Sequence, residues 1–502
     1  MLIAWGAFGV LTHVFAAARG RLRFGYAAYE IIRLLHKSEV IGMYCILDEN
    51  IALRSWQRTP YAYYIKHERD AKRLTKAEYE LLSRCDGRQD IPESELLNAL
   101  IGRGMARRCE KGAQLSPWQN MKCENRYFPA MNLMITGKCN YNCRHCFNAA
   151  DNAPLQSEWT LPEALRLLDE AQTCGINGFT ITGGEPMLHK NFFEILEGIY
   201  ARGMYVYELN TNGSFLKQRA LERMRALGCV PLMKISFDGV GHHDWLRCHK
   251  NAEQDALRAI ALCIENGFPV KVQTNVHRLN VGAMLDTARL LDKMGVDEMR
   301  IIRTTESPRW VENAHGAALE LSEYYGEMVE LLRKYAAEDH NMAMTVWQLG
   351  SFFPRGKSYV MAAVECCGGE YRASLPVCTS NRGMIAVGAN GRVYPCHQMS
   401  GYYEQHGDVL GDLKTTPLRE ILSAGRYMDE ICTTVGVLRE NNSKCAACRH
   451  FEYCCGGCRA VALAMTGDKL GADPSKCLFW EGGWDEKLAR ALDGWENLTP
   501  IK

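Results

Sequence analysis

The sequence predicts an α/β protein, in which a partial (β/α)6 barrel follows a small winged-helix-like module and precedes a cysteine-rich domain. Three patterns lead to this prediction: helices that end at glycines in the middle third, a short strand-and-helix pattern before them, and a concentration of cysteines after them. The five helix-ending glycines are Gly175, Gly203, Gly228, Gly267 and Gly295. Glycine suits the left-handed position past a helix end, and the apolar residue that follows each one starts a strand.

The repeated unit predicts six strands that alternate with helices, which is typical of a parallel sheet with right-handed crossovers. Six units are too few for an eight-stranded barrel, so we expect a sheet that stays open on one side. The predicted strands are Asn132–Thr136, Phe179–Thr182, Val206–Asn210, Met233–Phe237, Val270–Asn275 and Met299–Arg303.

The module at residues 43–112 shows the order strand, helix, helix, strand. Its first strand is predicted over Tyr44–Leu53 and its last over Met105–Cys109. A capping box of Thr75 and Glu78 predicts the start of the first helix. The remaining segments are expected to be a core at 127–310, a bridging segment at 311–370, the cysteine-rich domain at 371–482 and a tail at 483–502.

Residues 1–42 form an apolar and basic extension that fits none of these patterns. A secretory signal carries its positive charge before the apolar run, whereas here Arg19, Arg21 and Arg23 follow it. The run of about seventeen residues is at the lower limit of a membrane span. We expect an over-extended reading frame with the true start at Met43, and the alternative is an N-terminal anchor that leaves the rest of the chain cytoplasmic.

The composition narrows the classes of partner. The formal net charge of +1 gives no global positive field for nucleic acid. Twenty-two cysteines in a chain of 502 residues indicate metal ligation and a reducing compartment. We therefore expect a cytoplasmic protein that binds no nucleic acid and no membrane.

The most informative motif is Cys139-x3-Cys143-x2-Cys146, on a loop that leaves the first core strand. Three thiolates on one loop can bind three irons of a [4Fe–4S] cube and leave the fourth iron open for chemistry. The alternative is part of a zinc site, although three cysteines without a nearby fourth suit tetrahedral zinc poorly.

This spacing resembles the signature of the radical S-adenosylmethionine (radical SAM) superfamily. The resemblance implies that the open iron chelates the methionyl amine and carboxylate of S-adenosylmethionine. It also implies that Gly183, Gly184 and Glu185 bind the cofactor amine. The family usually has an aromatic residue before the third cysteine, where this chain has His145 followed by Phe147, and we assign both to cofactor binding.

Polar residues recur at the carboxyl ends of the other predicted strands, where ligands bind in open α/β sheets. In isolation each would be an ordinary loop residue. The cofactor contacts predicted from this recurrence are Asn210, Asn212, Ser236, Asp238, Asn275 and Arg303. A cluster after the fourth strand (His242, His243, Asp244, Trp245 and His249) is compatible with a metal site, but we interpret its members as substrate contacts.

A second cysteine array lies in the C-terminal third. Asn390-Gly391 predicts a type I′ hairpin beside it. The array resembles the SPASM extension of radical SAM enzymes, which implies two auxiliary [4Fe–4S] clusters, while zinc ribbons are the alternative. The resemblance assigns the distal cluster to Cys445, Cys448, Cys454 and Cys477. It assigns the proximal cluster to Cys378, Cys396 and Cys458, with Cys366 or Cys367 as a fourth ligand or with an open iron that could hold a substrate thiolate.

Together the motifs resemble a radical SAM peptide-modifying enzyme. Such an enzyme reductively cleaves S-adenosylmethionine to a 5′-deoxyadenosyl radical that abstracts hydrogen from a peptide, giving a thioether, another crosslink or an oxidised side chain. The layout of the first module is similar to the leader-reading domain of such enzymes; a DNA-binding winged helix or a structural cap are the alternatives. Glu93, Glu95 and Asn98 disfavour phosphate binding. We expect a peptide or protein substrate with a leader segment, and flavodoxin or ferredoxin as electron donor.

Two further functions stay open from the sequence. One is the oxidation of a seryl or cysteinyl residue to formylglycine, as in anaerobic sulfatase maturation. The other, from a different class, is an iron–sulfur electron carrier or sensor without catalysis.

Overall fold

The computed structural model describes residues 43–56, 59–66, 68, 71–123, 125, 128–146, 156–304, 307–362, 371–378 and 383–499. The predicted extension at 1–42 lies outside these ranges, as do Phe147, Cys366 and Cys367. No helix within the ranges is long and apolar enough to cross a membrane.

Contacts divide the chain into two compact units. One contains the residues up to Glu49 with Glu80–Ser116, and the other contains Asn50–Tyr79 and everything from Pro117 onward. The elements before the core are β1 (Tyr44–Leu47), β2 (Ile51–Trp56), β3 (Thr59–Ile65), β4 (Lys72–Arg73), α1 (Lys76–Ser83), β5 (Asp86–Asp90), α2 (Glu95–Gly102), β6 (Ala106–Cys109) and β7 (Asn120–Cys123).

The smaller unit is built on an antiparallel sheet in the order β5-β1-β6. Ser94 caps α2 by accepting a hydrogen bond from the backbone N–H of Leu97. Glu93, Glu95 and Asn98 are exposed, as the sequence predicted. Gly87 has a φ of 75°, and a side chain there would collide with the Ala113 carbonyl, so glycine is required at this position.

Strands β2, β3, β4 and β7 form a second sheet, in the order β4-β3-β2-β7, within the larger unit. The single strand predicted over Tyr44–Leu53 is therefore wrong. It is two strands in different sheets, because a turn at Glu49 and Asn50 separates them. The predicted capping box is confirmed, since Glu78 accepts from the backbone N–H of Thr75 at 2.8 Å and Thr75 Oγ1 accepts from that of Glu78 at 3.2 Å.

The core alternates strands and helices as predicted. Its elements are β8 (Ala130–Thr136), α3 (Leu161–Thr173), β9 (Gly178–Gly183), α4 (Phe192–Ala201), β10 (Tyr205–Thr211), α5 (Gln218–Ala226), β11 (Leu232–Ser236), α6 (His243–Arg247), α7 (Ala252–Glu265), β12 (Val270–Val276), α8 (Met284–Met294) and β13 (Glu298–Arg303). Strands β8 to β13 pair in chain order and are all parallel. The five helix-ending glycines have φ between 71° and 89°, which confirms their predicted left-handed conformation.

The bridging segment adds to one side of the sheet. The elements from here to the C-terminus are α9 (Pro308–Asn313), α10 (Leu321–Ala336), β14 (Ala343–Val346), β15 (Gly350–Phe353), β16 (Ser358–Met361), β17 (Met384–Val387), β18 (Val393–Tyr394), α11 (Ser400–Gln405), α12 (Leu418–Ile421), α13 (Arg426–Ile431), α14 (Val435–Asn441), α15 (Ser443–Ala446), α16 (Phe451–Cys454), α17 (Arg459–Thr466), α18 (Pro474–Glu481), α19 (Trp484–Ala491) and β19 (Glu496–Asn497). Strand β14 continues the parallel order, and β15 and β16 follow antiparallel.

On the other side, β17 pairs parallel with β8 and β18 pairs antiparallel with β17. Within the described ranges the sheet has twelve strands and ends at β18 and β19, so it stays open as predicted. The hairpin β17–β18 is confirmed but its type I′ turn is wrong. Only Gly391 takes a positive φ, of 90°, and its N–H donates to the Gly388 carbonyl at 3.0 Å. A type I′ turn needs positive φ at both central residues.

Candidate active site

The three cysteines of the first motif lie on the loop that leaves β8. Cys143 is buried, Cys146 is half-buried and Cys139 is exposed. The backbone N–H of Tyr141 donates to Cys139 Sγ at 3.4 Å, and that of Cys146 donates to the Cys143 carbonyl at 3.3 Å. The exposed fraction of Cys139 belongs to the residue as a whole, whereas desolvation of its sulfur raises the pKa of the thiol to about 12.

Within the described ranges, no three cysteine, histidine or acidic side chains converge as ligands of one metal ion. A [4Fe–4S] cube does not require its cysteines to converge on one point, because each thiolate binds a separate iron.

The end of β9 packs directly against the backbone of this loop. The N–H of Gly184 donates to the Thr136 carbonyl at 2.7 Å, and that of Glu185 donates to the Lys138 carbonyl at 2.8 Å. A side chain at Gly183 would lie 2.5 Å from the Thr136 oxygen, and one at Gly184 would overlap the Lys138 oxygen. Both positions therefore need glycine for close backbone approach, not for an unusual φ.

Glu185 ties the end of β9 to the end of β10. Its carboxylate is fully buried and accepts from Thr211 Oγ1 at 2.9 Å, from the N–H of Asn212 at 2.8 Å and from the N–H of Met187 at 3.2 Å. Burial raises the pKa of Glu185 to about 7, against the effect of these three donors. A carboxylate has about four acceptor sites, so one remains for a ligand.

Asn212 extends this network to the cysteine loop. Its Nδ2 donates to Asn140 Oδ1 at 2.9 Å and lies 4.0 Å from Cys139 Sγ, while its Oδ1 accepts from Ser214 Oγ at 2.6 Å. The Oδ1 atom of Asn210 is buried and has no hydrogen-bond partner in the described part of the chain. An orphaned acceptor of this kind indicates a bound polar group.

Asp238, a predicted cofactor contact, is fully buried and makes several polar contacts within the protein. Its carboxylate accepts from Arg247 Nε at 2.6 Å, from Arg247 Nη2 at 3.1 Å and from the N–H of Asn275 at 2.8 Å, and it lies 2.9 Å from His243 Nδ1. These contacts occupy its acceptor sites. Burial opposes ionisation, but Arg247 dominates and holds the pKa of Asp238 well below its usual range.

Arg247 was missed by the sequence analysis. It is 7% exposed, and its Nη1 lies 3.9 Å from Cys143 Sγ. One guanidinium therefore bridges the Asp238 carboxylate and a sulfur of the cysteine loop. The available signal was an arginine on the short helix α6, nine residues after a strand-end aspartate.

The remaining predicted cofactor contacts lie at or near the ends of the following strands. Ser236 is half-buried at the end of β11, and the Asn275 carbonyl accepts from Asn280 Nδ2 at 2.9 Å. Arg303 is buried, and its Nη1 donates to the Leu319 carbonyl at 2.8 Å. His145 lies half-buried in the loop, and burial lowers its pKa, so its imidazole is neutral at pH 7.

The members of the histidine-rich segment differ in burial, since all of them except His243 are half-buried. His243 is fully buried against Asp238. Asp244 accepts from the N–H groups of Asn251 and Glu253, both at 2.8 Å, and so fixes the start of α7. His249 stacks on Tyr141 of the cysteine loop, with ring centroids 4.3 Å apart.

The C-terminal cysteines separate into two groups. Burial and the thiols of Cys458 and Cys378 raise the pKa of Cys396 to about 12. Burial and the thiol of Cys477 likewise raise the pKa of Cys445.

Comparison with known proteins places these features in a family. The model of the radical SAM superfamily matches residues 133–291, and that of the SPASM iron–sulfur cluster-binding domain matches residues 378–450. The chain therefore contains a radical SAM domain and a SPASM domain. This confirms the resemblance seen in the sequence.

Among the proteins similar to this chain are enzymes whose names specify different reactions. The chain is 27% identical over 356 residues to the AdoMet-dependent heme synthase of Methanosarcina barkeri, covering 69% of this chain and 95% of that enzyme. It is 25% identical over 354 residues to the PqqA peptide cyclase of Granulibacter bethesdensis, covering 70% and 88%. The crystal structure of Streptococcus suis SuiB bound to precursor peptide SuiA shares the fold with a TM-score of 0.59 at 13% identity, covering 86% of this chain and 99% of that one.

This radical SAM enzyme binds a [4Fe–4S] cluster and S-adenosylmethionine, and its SPASM domain binds iron–sulfur. The described residues fit these groups. Three thiols share one loop, two glycines leave no room for a side chain beside it, and Asn210 has an unused acceptor.

The packing of Gly184 on the loop predicts a steric test. Gly184→Ala should displace the Lys138 carbonyl and lower the iron bound at this site at least several-fold in anaerobically reconstituted protein. Gly282→Ala is the matched control, since nothing lies within 4 Å of an added Cβ there. Equal iron content in the two variants, measured in a background without the SPASM cysteines, would contradict the packing argument.

The Asp238–Arg247 pair predicts a large loss of stability in the cluster-free protein. Arg247→Gln leaves a buried carboxylate unpaired, which costs roughly 3–5 kcal/mol in the free energy of unfolding. Urea unfolding measures it, with Arg289→Gln as control because its ion pair with Glu338 is solvent-exposed and worth at most about 1 kcal/mol. A loss no larger than that of the control would show that the pair is not a buried constraint.

The raised pKa of Glu185 predicts a pH dependence. A carboxyl group with a folded pKa near 7 and a lower unfolded value stabilises the fold at low pH, and this contribution is lost as pH rises toward 7. The free energy of unfolding of Glu185→Gln, relative to the wild type, should therefore increase by roughly 1–3 kcal/mol between pH 5 and pH 8. Parallel stability curves for the two cluster-free proteins would mean that Glu185 ionises normally.

Proposed function

We propose that this radical SAM enzyme modifies a peptide. The observation that carries the proposal is the extent of the likeness to SuiB, a protein seen with a bound precursor peptide, over 86% of this chain. The heme synthase aligns with only 69% of it, although 95% of that enzyme is covered. The likeness to SuiB in structure therefore extends over more of this chain than the match to the heme synthase in sequence. The PqqA peptide cyclase adds a relative whose name specifies a peptide substrate.

The smaller unit is the proposed reader of a leader segment. In the described chain β5 and β6 are the edge strands of its sheet. On β5 the Gly87 carbonyl already accepts from the N–H of Gly112 and the N–H of Gln89 donates to Asp86, so β6 is the proposed docking edge. An extended peptide binds such an edge by adding a strand. Arg107 and Arg108 of β6 are exposed, which favours a leader with acidic side chains at this edge.

The residues of the larger unit have the following proposed roles. Cys139, Cys143 and Cys146 hold the cluster, and the guanidinium of Arg247 fixes the position of Cys143 Sγ and lowers the cost of its negative charge. Asp238 holds Arg247 in place instead of contacting the cofactor. The free acceptor site of Glu185 and Oδ1 of Asn210 face the methionyl amine and ribose of S-adenosylmethionine.

When bound, the cluster and S-adenosylmethionine supply hydrogen-atom abstraction from an unactivated C–H bond. The protein orients the target bond and excludes water from it. In the SPASM domain, Cys445, Cys448, Cys454 and Cys477 are the proposed distal set. Cys378, Cys396 and Cys458 are the proposed proximal set, and the two clusters they hold would accept the electron left on the substrate.

A second candidate function follows from the heme synthase relative, which is the more similar of the two enzymes in sequence. On this alternative the substrate is a haem precursor and the smaller unit serves another purpose. Formylglycine formation is a further outcome within the peptide proposal, since it oxidises a side chain of a peptide or protein. An iron–sulfur carrier without catalysis is not favoured, because the named relatives are enzymes.

The peptide proposal predicts substrate-dependent turnover. Anaerobic protein is mixed with dithionite or reduced flavodoxin, S-adenosylmethionine and synthetic peptides encoded by small open reading frames beside the gene. We expect release of 5′-deoxyadenosine to rise with a peptide that carries its leader. The peptide should lose two hydrogens for each crosslink or oxidised seryl side chain formed, as read by mass spectrometry. Cys143→Ala should abolish both signals.

The same assay separates the alternatives. The leaderless form of the active peptide should react poorly, because the smaller unit then has nothing to bind. The proposal fails if haem-precursor tetrapyrroles stimulate 5′-deoxyadenosine release and are converted while no peptide is.

A further inference from the structure

Arg459 is a buried cation that the proposed chemistry does not use. It directly follows Cys458, opens α17 and is 6% exposed. Its Nη1 donates to the carbonyls of Lys469 at 2.9 Å and Gly471 at 2.8 Å, and its Nη2 donates to that of Gly456. In the described part of the chain its Nε is buried without a hydrogen-bond partner.

These partners leave the charge of Arg459 uncompensated by a direct ion pair, since a carbonyl is neutral. The nearby carboxylate of Asp473 is engaged elsewhere. Its Oδ2 accepts from the N–H of Cys458 at 2.8 Å, and its Oδ1 accepts from the N–H of Ser475 at 2.8 Å at the start of α18. A buried arginine held by carbonyls alone is costly. Its position therefore calls for a negative partner that the side chains of the described residues do not supply.

The guanidinium lies between the proposed proximal and distal sets. A Cβ added at Gly456, in the turn that joins Cys454 to Cys458, would lie 3.3 Å from Arg459 Nη2 and 2.8 Å from Leu438. Leu438 belongs to the same buried apolar cluster as Cys445. The Gly456 carbonyl that accepts from Arg459 Nη2 lies on the turn between Cys454 of the distal set and Cys458 of the proximal set.

We propose that Arg459 is the shared positive charge of the two auxiliary iron–sulfur sites and raises the reduction potential of both. This inference rests on the cysteine sets of the proposed function. Each cluster gains one negative charge when it takes up an electron, and a fixed cation in a low-dielectric surrounding stabilises the reduced form. One arginine between the sets keeps both potentials high enough for them to accept an electron from the substrate.

The chain offers a matched control. Arg449 directly follows Cys448, just as Arg459 follows Cys458, but Arg449 is exposed. Water and salt screen an exposed charge, so its removal should leave the potentials nearly unchanged.

The test measures potentials and not turnover. Full-length protein with Cys139, Cys143 and Cys146 changed to Ala, which retains only auxiliary clusters, is titrated anaerobically with EPR detection. Arg459→Gln should shift the midpoint potentials of both auxiliary signals downward. Arg459→Lys, which keeps the charge, and Arg449→Gln should stay close to the parent protein.

Unchanged potentials in Arg459→Gln, or a shift of one signal alone, would overturn the shared role. Loss of iron from both Arg459→Gln and Arg459→Lys would show that the hydrogen bonds of the guanidinium hold the fold and that its charge is not the cause, and would also overturn the proposal. If the parent protein itself holds fewer than two auxiliary clusters, the cysteine sets are wrong, and the failure belongs to the proposed function.

Discussion

The close approach of the β9 end to the cysteine loop is the constraint on which the rest of the site depends. Gly183 and Gly184 lie so near the carbonyls of Thr136 and Lys138 that no side chain fits between them. Two backbone hydrogen bonds fix this contact, at 2.7 and 2.8 Å. The loop that carries three sulfurs is thereby docked on a rigid parallel sheet, and a site built on such elements is positioned more accurately than one on a free loop.

Two buried carboxyl groups connect further strand ends across the sheet. The pKa of one is raised and the pKa of the other is lowered. Glu185 joins β9 to β10 through neutral donors, so burial dominates and favours its protonated form. Asp238 joins β11 to Arg247 and to the backbone of β12, so a full positive charge keeps it ionised. The guanidinium then reaches Cys143 Sγ. The strand ends, the short helix α6 and the cysteine loop thus form one connected polar network beside the cluster position.

Local patterns in the sequence predicted the features that depend on local chemistry. The glycines at helix ends gave all six core strands in the right order, because a left-handed residue and a following apolar run are short-range signals. The cysteine spacing predicts the cluster loop from a short-range signal as well. The type I′ turn at Asn390-Gly391 failed because the loop from Gly388 to Arg392 needs only one positive φ. The division of the first strand was missed because its turn, at Glu49 and Asn50, interrupts an otherwise strand-like run.

Features that depend on long-range packing were out of reach of sequence reasoning. Arg247 lies 104 residues from Cys143, and only the fold brings the two together. Asp238 and the residues that make its four contacts likewise lie on three segments that are separate in the sequence. Arg459 shows the same limit, since the Gly456 turn that it contacts packs against Leu438 of α14.

The central claim is that Cys139, Cys143 and Cys146 hold a cube whose fourth iron is open to S-adenosylmethionine. The most direct measurement is the EPR spectrum of the reduced protein, with its SPASM cysteines replaced by Ala, before and after addition of S-adenosylmethionine. The account predicts a [4Fe–4S]⁺ signal whose g values change when the cofactor binds. A protein without that signal, or a signal indifferent to the cofactor, would contradict it.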